Sequence, residues 1–512
     1  MTIQTSITSP LRIAAVPFGT RGGLIGLTFA PGKQQADGMT ASHRRDLGVD
    51  LDVVAAWNAA AVVTLLEGHE LDALGIAAIG TKVRRRHMEW HHWPIGDYQV
   101  PDAVFMADWP ARSAALRGLL TRGGRVLVHC KGGLGRAGSV AARLLVEGGM
   151  EAAAAMAAVR AVRPGAIETG SQEAWVAAGR KALPPDADRG RPAARDRALG
   201  ALLGLAVGDA VGAAIEFEHK PRFARLDDMV GGGPHCLKRG QWTDDTAMAL
   251  ALADSILVDP GLDADDLMRR FLDWHNTGNY SCTGSCFDIG NQIRTALERY
   301  RRGGEALAGS THPAASGNGA LMRLAPVAIR HWRNHAEMAR VTVVQTRTTH
   351  GSPATLAASA TFATMLADAI AGVDLTTILS GPAADGIEGG WRGLHRDAVE
   401  GSGYVVRSLQ AAVWVVSRST DFRSAVLLAA NLGDDADTTA AIAGQLAGGV
   451  FGASNIPAAW LDVLAWRERL TDAAGQLFDA GWPETDEAII EAPCVDDAAR
   501  HVSDACTRLM AT

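Results

Sequence analysis

Cysteine is scarce, six in 512 residues, which is too few for the dense disulfide framework that staples small secreted domains. Positive charge is not in surplus. Forty-nine Lys and Arg stand against 56 Asp and Glu, for a net charge of −7, so no general attraction to nucleic acid or to a membrane surface is expected. There is no uninterrupted apolar run of membrane-spanning length, because the longest apolar stretches are alanine-rich and broken by charge or glycine. Met1 to Pro10 has neither a basic n-region nor an apolar h-region. The expected setting is therefore a reducing cytoplasm with free thiols. No repeat recurs at a fixed period.

What is present is ordinary for a globular protein: 47% hydrophobic and 21% charged residues. The length corresponds to two to four domains. One break divides the chain. Residues 183–194, beginning Leu183-Pro184-Pro185-Asp186, carry proline and charge without an apolar period and read as a linker. Before it, over about residues 11–182, strand and helix patterns alternate. Leu11–Val16 is a short apolar run, Val53–Ala61 reads as helix, and Val62–Leu66 as strand. Arg125-Val126-Leu127-Val128-His129 is a buried strand followed by a glycine-rich turn and an alanine-rich helix. After the linker, over 195–482, helical periods dominate at Arg195–Ala206, Asp244–Leu257, Pro353–Ala371, Tyr404–Ser417 and Thr438–Gly448, which predicts one all-α domain. Residues 483–512 read as a small tail.

The first chemical motif is His129-Cys130-Lys131-Gly132-Gly133-Leu134-Gly135-Arg136. Cys-x5-Arg alone is common by chance, so the context carries the reading. A strand precedes it and a helix follows it. Gly132, Gly133 and Gly135 allow successive backbone N–H groups to form an anion nest at the helix's positive end. Such donors favour a thiolate at Cys130, and the planar fork of Arg136 suits two phosphoryl oxygens. Lys131 beside the nucleophile favours an anionic substrate. A leaving oxygen needs a general acid, for which Asp97 is expected, with Asp102 in reserve.

With these motifs the segment resembles the cysteine-based dual-specificity phosphatases, and among them the kinase-associated-phosphatase type. The resemblance rests on Pro31-Gly32, Pro94-Ile95-x-Asp97, the HC-x-GGLGR loop, and Gly165-Ala166-Ile167-Glu168-Thr169 with Gln172. It implies an α/β phosphatase fold without a cofactor, with Cys130 as nucleophile, Arg136 as clamp, Asp97 as acid and Gln172 placing water. One departure stands out. The family carries Ser or Thr directly after the arginine, where a hydroxyl helps the cysteine leave. Here Ala137-Gly138 intervene before Ser139, so turnover of the phosphocysteine is expected to be slow, with a phosphate-binding module as the alternative.

The second motif is a pair of distant carboxylate clusters, Thr243-Asp244-Asp245-Thr246 and Asp434-Asp435-Ala436-Asp437-Thr438, each opening a predicted helix. One Asp at a helix start is an N-cap, but adjacent carboxylates repel and cannot all cap. Hard divalent cations with oxygen ligands remove the conflict, and two converging clusters predict a binuclear centre. The arrangement is similar to the ADP-ribosylglycohydrolase family, of the type that reactivates dinitrogenase reductase. The resemblance also includes Gly204–Ala210, Glu216-Phe217, Phe287-Asp288-Ile289-Gly290-Asn291, Gly317–Arg323, Thr349-His350 and Ser402-Gly403-Tyr404.

The resemblance implies two Mg²⁺ or Mn²⁺ ions held by Thr243, Asp244, Asp245, Asp435, Asp437 and Thr438. It implies catalytic roles for Asp288 and Glu216, a pyrophosphate turn at Gly317, Asn318 and Gly319, ribose or phosphate contact by His350, and adenine stacking by Tyr404. Asp434 stands where the family usually has glycine. Cys282 and Cys286 lack the partner ligands of a zinc site. The joint expectation is a bifunctional hydrolase that removes ADP-ribose from a modified protein, through arginine, and phosphate from a phosphomonoester. Its partners are ADP-ribosylated or phosphorylated proteins, with no nucleic acid and no membrane. The alternative is action on small ADP-ribose metabolites.

Overall fold

A computed structural model describes residues 3–36, 41–182, 189–220 and 223–482. They form two compact units, one taking in the described residues up to 182 together with Arg418–Thr420, the other holding the rest.

The first unit is built on five strands, β1 (Ala14–Phe18), β2 (Gly23–Phe29), β3 (Ala61–Thr64), β4 (Glu89–His92) and β5 (Arg125–Cys130), in the order β1-β2-β5-β3-β4. The β1–β2 pair is antiparallel and the remaining pairs are parallel. Strand β5 is central, and its side chains alternate between two cores. Val126, Val128 and Cys130 enter one, and Leu127 enters the other, as a sheet covered on both faces requires. Around the sheet lie α1 (Leu47–Ala56), α2 (Gly68–Ala73), α3 (Ala103–Thr121), α4 (Gly135–Glu147) and α5 (Gly170–Ala177).

One expectation shifts here. The helix predicted over Val53–Ala61 starts and ends earlier. The Asp46 carboxylate caps it by accepting from the Val49 N–H, and Asn58, at φ +62°, turns the chain toward β3. Of the short apolar run Leu11–Val16, the part from Ala14 enters a strand.

In the second unit the expected linker is partly helix. Residues 183–188 lie outside the described residues, but α6 runs Arg191–Gly212, with Pro192 in the first turn, where its missing N–H leaves no bond unmade. The tail from Pro483 also lies outside the described residues. Helices α7 (Asp244–Val258), α8 (Asn291–Gly303), α9 (Pro353–Ile370), α10 (Val405–Ser417) and α11 (Ala436–Phe451) follow. The span Arg191–Ile215 is long and apolar enough to cross a membrane by composition, yet 94% of its apolar 18-residue window is buried within the protein. Its small residues explain why. Gly200, Gly204, Gly208 and Gly212 face Gly448, Gly444, Ala440 and Ala436 of the antiparallel α11, and a Cβ at any of the four would lie 2.1 to 2.3 Å from a backbone oxygen of that helix. This close crossing sets the inner end of α6 against the start of α11 and so builds the second site.

Candidate functional site

In the first unit, Cys130 ends β5 and is 3% exposed. Gly133, at φ +71°, closes the following loop, and a Cβ there would meet the Thr28 carbonyl oxygen at 2.3 Å. The Gly133 N–H points at the Cys130 Sγ at 3.3 Å. The expected nest is narrower than the sequence implies, because the Gly135 N–H is taken by the Glu168 carboxylate at 2.7 Å. Gly132 is exposed and its carbonyl accepts from Arg163. Lys131 is half-buried.

Arg136 is 2% exposed, and its fork is fully engaged. It grips Glu70 bidentately at 2.6 and 2.9 Å, donates to the Ile95 carbonyl at 2.9 Å, and meets Asp97 at 3.0 Å. In this unit, sequence reading missed Glu70. It belongs to the capping box of α2 and accepts from the Glu67 N–H. Burial raises its pKa, but the Arg136 hydrogen bond and the Glu67 N–H outweigh this and hold it below the ordinary value.

Asp97 is half exposed at the mouth, as a general acid requires. Asp102 is instead the N-cap of α3, accepting from the Phe105 N–H at 2.7 Å, and this role accounts for it. Gln172 is fully buried; its Oε1 accepts from the Glu168 N–H at 2.9 Å. The Ser139 hydroxyl donates back to the Gly135 carbonyl at 2.7 Å, so it does not replace the hydroxyl missing at Ala137. His129 is fully buried beside Thr64 at 2.8 Å, and burial lowers its pKa to about 3, keeping it neutral.

In the second unit the two carboxylate clusters meet. The Thr243 Oγ1 lies 3.2 Å from Asp437 Oδ2 and 3.3 Å from Asp245 Oδ2, and the Thr438 Oγ1 lies 3.4 Å from Asp245 Oδ2. Asp209, on α6, fixes the first cluster. One of its oxygens accepts from the N–H and hydroxyl of Thr243, the other from the N–H and hydroxyl of Thr246. It therefore caps α7 from outside and holds the Thr243 hydroxyl beside the carboxylates. Its signal was a charge within an otherwise apolar helix pattern.

Burial, then mutual repulsion, raises Asp244, Asp245 and Asp437 well above the ordinary carboxylate range. Glu216 and Asp288 are also raised, burial again being the larger cause. The Asp245 Oδ1 is buried with no hydrogen-bond partner, and a packed group of acids with an orphaned oxygen fits hard cations bound through oxygen. Asp435 is partly exposed and accepts from the Asn318 amide at 2.7 Å.

The Gly317–Gly319 turn differs from expectation. The Asn318 N–H donates to the Gly403 carbonyl at 3.1 Å, and the Gly317 N–H reaches the Gln292 amide oxygen at 3.3 Å. These two donors are not free for a pyrophosphate; Asn318 acts through its side chain on Asp435. His350 lies beneath the turn, 3% exposed. Its Nδ1 pairs with the Thr349 hydroxyl at 2.8 Å and its Nε2 with the Gln292 amide at 3.1 Å. A Cβ on Gly319 would meet the ring at 2.8 Å, so His350 props the turn rather than facing a ligand. Tyr404 bridges to Gly317 through the backbone and is 41% exposed, leaving its ring open for stacking. Asp434 sits at φ +57°, a left-handed position that favours glycine, and pairs with His219. His235, absent from the sequence reading, lies 3.3 Å from both Glu216 and Asp288.

A carboxylate-lined site on a helix-rich scaffold, and a Cys-x5-Arg loop on an α/β scaffold, are the working parts of hydrolases. The family model for ADP-ribosylglycohydrolase matches residues 190–486, and that for the Swiss Army Knife protein DSP-PTPase phosphatase domain matches 37–176. The chain belongs to the ADP-ribosylglycohydrolase family and carries a DSP-type phosphatase domain ahead of it. It is 41% identical over 339 residues to the ADP-ribosylarginine hydrolase Tri1 of Pseudomonas putida (strain GB-1), covering 64% of this chain and 88% of that relative. It is 36% identical over 279 residues to the ADP-ribosyl-[dinitrogen reductase] glycohydrolase of Rhodospirillum rubrum, covering 53% and 92%. The solved structure of an ADP-ribosylglycohydrolase-related protein complex matches 57% of this chain and 100% of its own at 39% identity, with a TM-score of 0.50.

Proposed function

We propose that the second unit removes ADP-ribose from arginine side chains of modified proteins in a reaction that needs divalent cations. The observation that carries this is the convergence of Thr243, Asp245, Asp437 and Thr438 within 3.4 Å. Thr243, Asp244, Asp245, Asp435, Asp437 and Thr438 would hold Mg²⁺ or Mn²⁺, whose chemistry here is to orient ribose hydroxyls and to polarise water. Asp209 and Asn318 keep two of those carboxyl-bearing segments in place. The reaction breaks the bond between ribose C1″ and the guanidine nitrogen and forms one from C1″ to water oxygen. The proton of that water passes to Asp288 or Glu216, and the departing guanidine takes a proton from solvent. The Tyr404 ring offers a stacking face to adenine. The relative named for ADP-ribosylarginine supports arginine as the acceptor, and the one named for ADP-ribosyl-[dinitrogen reductase] supports a protein substrate. A panel of arginine-linked, serine-linked and free ADP-ribose substrates tests this. Release confined to free metabolites would refute the protein-directed reading.

In the first unit, Cys130 attacks phosphorus while Asp97 gives its proton to the leaving oxygen. Water then cleaves the S–P bond and returns a proton to Asp97. In the structure Asp97 rests on Arg136. A phosphoryl oxygen that takes the Arg136 Nη2 donor facing Asp97 displaces it, freeing the acid for the leaving group. The four described cysteines are free, which suits a reducing cytoplasm.

A further inference from the structure

The loop from Gly231 to Leu237 has an unusual build. Gly231, Gly232, Gly233 and Cys236 all have positive φ, and Gly232 and Leu237 exchange two backbone hydrogen bonds at 2.7 and 2.9 Å. Gly233 is pressed so close to the turn before Glu216 that a Cβ would sit 1.9 Å from the Ala213 carbonyl oxygen. This strained turn carries His235 inward. Its ring leans on Phe287 at 5.0 Å, and its Nε2 stops 3.3 Å from Glu216 Oε2 and 3.3 Å from Asp288 Oδ1. Asp288 is itself held at φ +59°. Three segments thus aim one nitrogen and two oxygens at a common point, with all donor atoms within 4.8 Å of one another.

The spacing is informative. One ring N–H cannot serve two carboxylates, and an N–H···O bond is ordinarily about 2.7–3.2 Å long. Both the His235 Nε2 and the Glu216 Oε2 are buried without a hydrogen-bond partner, the Glu216 side chain being 3% exposed. Two donors bound at about 2.1 Å to one ion stand about 3.0 Å apart at a right angle and about 3.4 Å at the tetrahedral angle. The observed separation falls between these.

We propose that Glu216, His235 and Asp288 form a further site for one borderline divalent ion of the zinc class, adjoining the carboxylates already described, and that its occupancy inhibits ADP-ribose release. The imidazole supplies the chemical distinction. Nitrogen favours zinc-class ions over magnesium, whereas the Asp244, Asp245, Asp435 and Asp437 group offers only oxygen. Occupancy withdraws the two carboxylates that the reaction uses to move the water's proton. The inhibitory half rests on the proposed function; the binding half does not.

The experiment counts zinc bound to the full chain at saturating Mg²⁺, by competition with a chromogenic chelator, alongside zinc inhibition of release. The Cys282 and Cys286 thiols, which burial pushes up to about 11, are poor competitors for the ion. Wild type is expected to bind one zinc more than either His235→Phe or His235→Gln, while Asp435→Ala keeps that ion. In the His235 variants the zinc concentration for half-inhibition should rise about tenfold or more. Equal zinc counts in wild type and both His235 variants would overturn the site, as would loss of the same ion in Asp435→Ala. If a His235-dependent zinc is found but no Mg²⁺-dependent release occurs, the site stands and the proposed function falls.

Discussion

Replacing Gly208 with alanine sets two effects of opposite sign against each other. Alanine is favoured over glycine within a helix by about 1 kcal/mol. At Gly208, however, the added Cβ would lie 2.1 Å from the Ala440 carbonyl oxygen and 2.5 Å from its carbon. Ordinary contact begins near 3.4 Å, so α6 and α11 must part by about 1 Å, and backbone cannot rotate out of the way as a side chain can. Overpacking of this kind costs about 1–3 kcal/mol or more. The expected net is a loss of up to about 2 kcal/mol, read by urea denaturation of the full chain.

The same parting draws the start of α11 from Thr243, which sits 3.2 Å from Asp437. The Mg²⁺ concentration needed for ADP-ribose release should therefore rise as well. Gly303→Ala on α8 is the control. Nothing lies within 4 Å of its added Cβ, so only the propensity gain, a few tenths up to about 1 kcal/mol, should appear. A Gly208→Ala protein stabilised like Gly303→Ala, with an unchanged Mg²⁺ requirement, would refute the claim that the glycine crossing positions the site.

Other outcomes follow from single residues. Ala137→Ser restores a hydroxyl beside the thiolate and should raise steady-state turnover of p-nitrophenyl phosphate by about threefold or more while shrinking any burst; an unchanged rate would mean thiolate departure is not limiting. Glu70→Gln removes the charged half of the Arg136 grip and should raise KM for the same substrate more than it lowers kcat. Because the folded pKa of Glu70 is depressed, its stabilisation is present above the ordinary glutamate value. It is lost as pH falls through the folded one, so the gap between wild type and variant should narrow under acid. Asp368 behaves oppositely. Burial raises it to about 6, so stability is lost as pH rises from the ordinary carboxylate value to that one. Asp368→Asn should therefore stabilise the protein at pH 8 by up to about 3 kcal/mol and by little near pH 4.

The parts legible in sequence were those whose residues are neighbours in the chain. Thr243-Asp244-Asp245 and Asp435-x-Asp437-Thr438 declare themselves because adjacent acids conflict without a counter-charge, and the Cys130–Arg136 loop because strand, glycines and helix are contiguous. What sequence hid depends on contacts across the fold. Glu70 lies 66 positions from Arg136 and looks like any capping glutamate. Asp209 is one acid in an apolar helix until the start of α7 is brought against α6. His235 hides in a glycine-rich turn. Two groups read as facing ligand, His350 and the Asn318 N–H, are engaged in the structure in holding their own turn. Backbone polar groups in a buried turn must be satisfied before any ligand arrives.

The most direct measurement is release of ADP-ribose from an arginine-ADP-ribosylated protein by wild type and by Asp435→Ala, each titrated with Mg²⁺ after chelation. The account predicts release that is abolished by chelator, restored by Mg²⁺ in wild type, and not restored in Asp435→Ala. Release that persists in chelator, or that survives in Asp435→Ala at the wild-type Mg²⁺ concentration, would contradict it.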